Sequence, residues 1–229
     1  MQEGTNSHAI ARAVFAAVAI GVLTAILAGC GGGDSSSDST ATAASTNSCK
    51  EVEAPAPKQV TLKAPPQTVK KGEKLTAVVQ TSCGTFEIAL DSTRAPKTVN
   101  SFAYLAEEGF YDDLTFHRIA PGFVIQGGDP LGTGVGGPGY TVDEQPPANL
   151  AYTKGTVAMA KSSADPPGRS GSQFYVVTAA DAGLPPEYAL VGKVAKGYDV
   201  VTRIEDLGAT AAETPKQTVV IEKMTIDKG

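Results

Sequence analysis

The stretch Phe116-His117-Arg118-Ile119-Ala120-Pro121-Gly122-Phe123-Val124-Ile125-Gln126-Gly127-Gly128-Asp129 decides how the rest of the chain is interpreted. It reads as two short apolar strands joined by a turn at Pro121-Gly122, because proline and glycine are strong turn formers. Alternation along a strand predicts three sets of side chains that share a side: Phe116, Arg118 and Ala120; Val124 and Gln126; Phe123 and Ile125. A closed sheet with one mouth could therefore bring a guanidinium, an amide and an aromatic ring together.

Two later segments accompany this stretch. They are Gly155-Thr156-Val157-Ala158-Met159-Ala160 and Gly171-Ser172-Gln173-Phe174-Tyr175. In this order the three segments resemble the motifs of the cyclophilins, a family of peptidyl-prolyl cis-trans isomerases built on an eight-stranded barrel. The resemblance extends over residues 75–227. It implies an enzyme that accelerates rotation about the peptide bond preceding proline.

The apolar pattern of the same region predicts the elements of a barrel. Residues 75–81 and 85–90 read as a hairpin around Cys83-Gly84, because apolar and more polar residues alternate in the second strand. Pro96 opens one helix, and the spacing of Tyr198, Val201, Ile204 and Leu207 marks another. Further strands are predicted at 155–160, 173–178, 190–195 and 218–227. We therefore expect a mostly β fold, a closed eight-stranded antiparallel β-barrel capped by two α-helices.

The N-terminal region predicts where the protein is located and not how it folds. Residues 1–29 read as an export signal, and Leu27-Ala28-Gly29-Cys30 resembles the lipobox of bacterial lipoproteins, in which the cysteine is lipidated. Residues 30–74 follow as a flexible tether and Pro-rich linker, and residues 75–228 form the isomerase-like domain. The alternative is an uncleaved membrane anchor. Both interpretations predict an extracytoplasmic protein attached to a membrane, in the first case through Cys30.

Cysteine usage and charge bear on cofactors and partners. If Cys30 carries a lipid, Cys49 and Cys83 are the remaining pair, and they form either a disulfide or two separate thiols. No Cys-x-x-Cys or His-x-x-x-His spacing occurs, so we expect no metal. We expect no other cofactor either, because the isomerisation implied by the resemblance breaks no bond. A formal net charge of −5 without a basic run argues against nucleic acid as a partner. The G-x-G-x-x-G spacing at 132–137 precedes Pro138-Gly139, which breaks the helix that a dinucleotide site needs.

The resemblance also implies the site residues. Arg118, Phe123 and Gln126 match the catalytic positions of the family. Further positions line the proline pocket, hold the peptide or support the arginine, and these are Val124, Ala160, Lys161, Gln173, Tyr175, Leu184 and Tyr188. Val124 replaces the commoner methionine, and Tyr175 replaces the commoner phenylalanine. Gly183 stands where many eukaryotic relatives carry a tryptophan that helps hold cyclosporin, so we expect weak cyclosporin binding with activity retained.

The chemistry of these side chains suits isomerisation. Amide resonance opposes rotation with a barrier of ~18–20 kcal/mol, and no bond has to break. The twisted transition state is less polar than the planar amide, and its nitrogen regains a lone pair. An apolar pocket with one rigid, permanently charged donor such as Arg118 would therefore favour it. From its position alone, however, an arginine in such a strand would more often pair with a carboxylate that holds the fold together.

Together these observations predict a monomeric peptidyl-prolyl isomerase. Its expected partners are proline-containing segments of unfolded or exported proteins, whose folding it would assist. The alternative is a non-catalytic Pro-peptide-binding module, or holdase, on the same barrel, for which an intact set of Arg118, Phe123 and Gln126 is not needed. A third reading, a structural spacer of the cell envelope, has only the tether in its favour.

Overall fold

The computed structural model describes residues 48–229, so the predicted signal peptide, Cys30 and most of the tether lie outside the described residues. In chain order the elements of this part are β1 (Leu75–Thr81), β2 (Gly84–Leu90), α1 (Pro96–Glu107), β3 (Leu114–Thr115), β4 (Arg118–Ala120), β5 (Val124–Gly127), β6 (Val142–Asp143), β7 (Thr156–Met159), β8 (Arg169–Ser170), β9 (Phe174–Val177), β10 (Leu190–Lys196), α2 (Tyr198–Asp206) and β11 (Val220–Lys228). The predicted hairpin and both predicted helices are present.

The strands of residues 48–229 form one curled sheet in the order β3-β11-β1-β2-β10-β7-β9-β5-β4, and β6 pairs with β8 in a small ribbon. The prediction of a closed eight-stranded barrel is wrong, because β3 and β4 are the two ends of this nine-stranded sheet and do not pair. Only Phe116 and His117 connect them. The N–H of Ile119 in β4 donates to the carbonyl of Glu213 (2.7 Å) and not to β3. The fold is therefore an open, curled half-barrel with two helices.

The helices begin and pack as their sequences dictate. Pro96 occupies the start of α1, where its missing N–H leaves no hydrogen bond unmade. The buried side of α1 faces β10 and β11, and α2 packs against β2, β4 and β5 through Val200, Val201 and Ile204. Helix α2 therefore supports the β4–β5 hairpin, which belongs to the stretch 116–129.

Four aromatic rings pack inside the curled sheet, and we call Phe102, Tyr111, Phe116 and Phe174 the inner cluster. Phe174 meets three of its neighbours edge to face, with ring centroids 5.5 Å from Phe102, 5.6 Å from Tyr111 and 6.0 Å from Phe116. All four side chains are fully buried. Phe116 lies before β4 begins, and its ring packs in the core. The prediction that it shares a side with Arg118 is therefore wrong.

Residues 48–72 cross the surface of the domain as an extended segment, which we call the strap. A disulfide joins Cys49 at its beginning to Cys83 in the β1–β2 turn. Further along, the backbone N–H of Lys58 donates to Pro130 O (2.8 Å) and that of Leu62 donates to Pro138 O (2.7 Å). The Asn100 side chain of α1 then accepts from the N–H groups of Thr68 and Val69. The Pro-rich linker therefore lies against the domain.

Candidate active site

Strands β4 and β5, with the residue that precedes β9, bring the predicted polar residues into one row. Arg118 lies directly opposite Gln126 in the β4–β5 ladder. The Nη1 of Arg118 donates to Oε1 of Gln126 (3.1 Å), and Nε2 of Gln126 donates to Oε1 of Gln173 (3.0 Å). The amide of Gln173 in turn donates to the carbonyls of Gly134 and Gly136. Each amide thereby fixes the orientation of the next, from the glycine-rich loop to the guanidinium.

The guanidinium of Arg118 has a second support that the row does not provide. Its Nε lies 2.6 Å from Oε2 of Glu213, in the connection between α2 and β11. Within residues 48–229 no acceptor is bonded to Nη2. The side chain is 33% exposed, and its Cζ lies 5.7 Å from the centroid of the Phe123 ring. One edge of a fixed, charged donor thus remains available beside an aromatic ring.

An apolar cluster separate from the inner one lies next to this row, and we call it the outer cluster. Its buried members are Val124, Tyr152, Ala158, Tyr175 and Val177, and its partly buried members include Phe123, Ala160, Leu184 and Tyr188. Phe123 belongs here with Val124, and not with Ile125 as strand alternation predicted, because it lies in the turn before β5 begins. Six of the predicted site residues therefore meet in one partly open apolar surface.

The tyrosines of the outer cluster differ in how their hydroxyls are satisfied. The Tyr152 hydroxyl donates to the carbonyl of Tyr188 (2.6 Å) and accepts from its N–H (2.9 Å). Burial raises the pKa of Tyr152 to about 12. Burial also raises the pKa of Tyr175, whose hydroxyl finds no hydrogen-bond partner in the described part of the chain. Both phenols are therefore neutral at pH 7.

A cavity of about 680 Å³ opens beside the outer cluster and is bordered by Gln126, Ala160 and Gln173. The glycine-rich loop at 134–139 forms one of its walls. Just before that loop the Asp129 carboxylate accepts from the backbone N–H groups of Leu131 and Thr133, which holds the start of a flexible sequence in one shape. The cavity leaves room for peptide residues on one side of the apolar surface.

The structure shows the surroundings of Lys161 and Gly183, which the sequence alone did not define. The Lys161 ammonium lies 3.4 Å from Glu187 and 5.5 Å from the Tyr188 ring centroid, and its side chain is only 7% exposed. Its side chain is thus engaged inside the protein, which leaves the backbone for a ligand. Gly183 is exposed with φ 63°, and nothing lies within 4 Å of a Cβ built on it. Weak cyclosporin binding stays a prediction.

Two residues of this site were missed from the sequence. Tyr152 lies in an irregular segment with no motif, and only its apolar neighbours could have suggested burial. Glu213 is 95 positions from Arg118, so no local spacing connects them. His117 takes no part in the row. Burial is the main cause that lowers its pKa, against the opposing effect of Asp129, and the ring is neutral at pH 7.

Comparison with known proteins agrees with this geometry. The family model for cyclophilin-type peptidyl-prolyl cis-trans isomerases matches residues 76–226. The peptidyl-prolyl cis-trans isomerase-like 1 of Neurospora crassa is 38% identical over an alignment of 156 residues that covers 63% of this chain and 94% of that protein. The isomerase ppi1 of Schizosaccharomyces pombe is 37% identical over 149 residues, with the same two coverages.

A solved structure gives the same result. The cyclophilin-type isomerase of Cryptosporidium parvum, crystallised in the presence of the dipeptide Ala-Pro, superposes with a TM-score of 0.62 and 30% identity. The superposition covers 67% of this chain and 99% of that one. The chain therefore belongs to the cyclophilin family and is a peptidyl-prolyl cis-trans isomerase.

The comparisons also correct the predicted location. The two curated relatives named above are fungal isomerases of the isomerase-like 1 and ppi1 types, and they give no support for a bacterial lipoprotein. The prediction of an extracytoplasmic protein, anchored to the cell membrane by a lipidated Cys30, is wrong on this comparison. Among the residues that the structure describes, no helix has the length and apolar character needed to span a bilayer.

Proposed function

We propose that Arg118 is the catalytic donor and that the outer cluster binds the proline ring of the substrate. The observation that carries this proposal is the arrangement of the guanidinium, whose Nε and Nη1 are bonded to Glu213 and Gln126. Those two bonds fix its plane before any peptide arrives. A donor that is already oriented loses little entropy when it bonds to the substrate.

Catalysis in this scheme comes from interactions that strengthen as the peptide bond twists. The amide nitrogen offers a lone pair only in the twisted state. A donor directed at it therefore lowers the barrier to rotation without strengthening the binding of the planar peptide. One charge-assisted hydrogen bond contributes about 1.5–3 kcal/mol. The apolar surface around Phe123 and Tyr175 adds to this, because the twisted amide is less polar and loses less on leaving water.

The proposed substrates are proline-containing segments of unfolded or loosely structured polypeptides. A peptide must lie across a partly open surface, with the proline ring on the outer cluster and its neighbours along the cavity. The polar groups available there are the Gln126 amide and the backbone of Ala160 and Lys161. A folded protein would reach this surface only through an exposed loop. We propose assistance of folding as the role on this basis.

The test measures isomerisation of a short Ala-Pro peptide by exchange NMR with the full chain and its Arg118→Ala variant. We expect kcat/KM to fall about 10- to 100-fold, which corresponds to the loss of one charge-assisted bond. Arg94→Ala is the matched control, since Arg94 also pairs through Nε with a carboxylate at 2.6 Å but lies outside the site. The control should retain the wild-type rate.

A holdase on the same fold predicts a different result. It would bind the peptide as before and show equal isomerisation rates for wild type and Arg118→Ala. Peptide affinity, measured in the same NMR titration, separates the two cases. Equal rates with unchanged affinity would contradict the catalytic assignment of Arg118.

A further inference from the structure

The connection between α2 and β11, residues 207–219, holds the β4–β5 hairpin from behind. The carbonyl of Glu213 accepts from the N–H of Ile119 (2.7 Å), and Gly208 lies so close to the strand that an added Cβ would be 2.6 Å from the Ile119 side chain. At the end of α2, the Glu205 carboxylate accepts from the N–H of Gly122 in the turn (2.7 Å). The hairpin that carries Arg118 is thus bonded along its strand and at its tip.

The connection is itself internally fixed around Glu213. The N–H of Glu213 donates to Ala209 O (2.9 Å), and the N–H of Ala209 donates to Thr214 O (3.1 Å). Glu213 has φ 52°, in the left-handed region that residues other than glycine seldom adopt. Such a conformation persists only where the surrounding contacts hold it, and it is found most often at functional sites. Here it lets one residue present both its carbonyl to β4 and its carboxylate to Arg118.

The energetics of the ion pair point away from a stabilising role. The side chains of Arg118 and Glu213 are 33% and 47% exposed, and pairs with such exposure contribute little to the stability of a fold. An arginine side chain, however, has many rotamers, and a single bond to Gln126 would leave the guanidinium free to rotate about that contact. A second acceptor at Nε removes this rotation.

We propose that Glu213 is a positioning residue for catalysis, which holds the Arg118 guanidinium in the orientation that directs Nη2 to the substrate. This inference rests on the proposed catalytic role of Arg118. In this scheme Glu213 acts through Arg118 and not on the peptide directly. Its effect should therefore fall on kcat, with KM and the melting temperature nearly unchanged.

The experiment compares Glu213→Ala, Glu213→Gln and wild type in the full chain by exchange NMR at several peptide concentrations. We expect Glu213→Ala to lower kcat about tenfold, because the guanidinium loses one of its two fixed acceptors. Glu213→Gln should stay within about twofold of wild type, since an amide oxygen can still accept from Nε. The matched control is Asp199→Ala, which removes another carboxylate paired with an arginine at 2.9 Å, on the exposed side of α2.

A spectroscopic readout follows the orientation directly. The Nε–H signal of Arg118 should exchange slowly with solvent in wild type and Glu213→Gln and rapidly in Glu213→Ala. Unchanged kcat and unchanged Nε–H exchange in Glu213→Ala would overturn the inference. So would a Glu213→Gln variant as impaired as Glu213→Ala, because charge would then matter and acceptor geometry would not.

The double variant separates this inference from the function on which it rests. If Arg118→Ala lowers kcat and Glu213→Ala adds nothing to it, the glutamate acts through the arginine. If Arg118→Ala itself has the wild-type rate, the proposed function fails first. If only Arg118→Ala is impaired, the proposed function stands and the positioning role of Glu213 is refuted.

Discussion

Phe174 and Tyr175 are neighbours on β9, yet their rings belong to clusters with opposite properties. Phe174 points into the curled sheet, where it contacts three rings of the inner cluster and is fully buried. Tyr175 points to the outer cluster, beside the half-buried Tyr188 (5.7 Å between centroids). Both clusters use edge-to-face aromatic packing, but the four inner rings are fully buried, whereas Phe123 and Tyr188 of the outer cluster are only partly buried. The same kind of contact therefore serves stability on one side of the strand and, in the function proposed here, ligand binding on the other.

The largest expected effect is the removal of a ring from the inner cluster. Phe174→Ala should lower the free energy of unfolding by about 3–5 kcal/mol, because a cavity is left among rings that cannot collapse into it. Denaturant unfolding measures this value. A loss of less than about 1 kcal/mol would mean that the inner cluster does not dominate stability and that the comparison with the outer cluster fails.

Phe123→Ala tests the outer cluster in the opposite way. Phe123 is partly buried and lies near Arg118, so its loss removes a wall of the proposed proline site. We expect kcat/KM to fall about 10- to 30-fold, which is roughly 1.4–2 kcal/mol of transition-state binding. The unfolding free energy should change by less than about 1 kcal/mol, since the ring is not part of the inner core. A variant that unfolds but binds normally would reverse the assignment of the two clusters.

The smallest expected effect concerns single hydroxyl groups. Tyr175→Phe removes a buried hydroxyl that has no partner among residues 48–229, so the unfolding free energy should rise by about 1 kcal/mol. Tyr111→Phe is the matched change in the inner cluster, where the hydroxyl donates to Ser172 O (3.1 Å), and it should lower stability by about 1 kcal/mol. Thermal unfolding of the two variants should therefore shift in opposite directions, and shifts of the same sign would contradict this account.

Sequence reasoning was most reliable where one strand pairs with its neighbour along the chain. The hairpin of β1 and β2, the helix start at Pro96 and the pairing of β4 with β5 all follow from local pattern and turn chemistry. Whether the sheet closes into a barrel could not be predicted in this way. Pairing of β3 with β4 depends on which acceptor the N–H of Ile119 bonds to, and that acceptor is distant in the sequence. The two-residue strands were also invisible, since two residues carry no periodicity.

The residues of the candidate site also divide into those that local motifs predicted and those that come from distant parts of the chain. The row of Arg118, Gln126 and Gln173 could be placed because motifs carry those residues on, or directly before, adjacent strands. The sequence offered two interpretations of Arg118, a catalytic donor or an arginine paired with a carboxylate, and the contact with Glu213 is compatible with both. The structure contains the carboxylate contact, and it leaves Nη2 without an acceptor in the described residues. That partner comes from a distant connection whose conformation depends on contacts with the hairpin itself.

The open ends of the sheet have a consequence for association between molecules. Unpaired strand edges invite other chains to add strands, which leads to aggregation. Here β3 is only two residues long and β4 only three, and the Ile119 N–H is already bonded to Glu213. The same connection that supports the arginine thus also shields an edge from intermolecular pairing. A half-barrel can in this way remain open and still offer little template for a fibre.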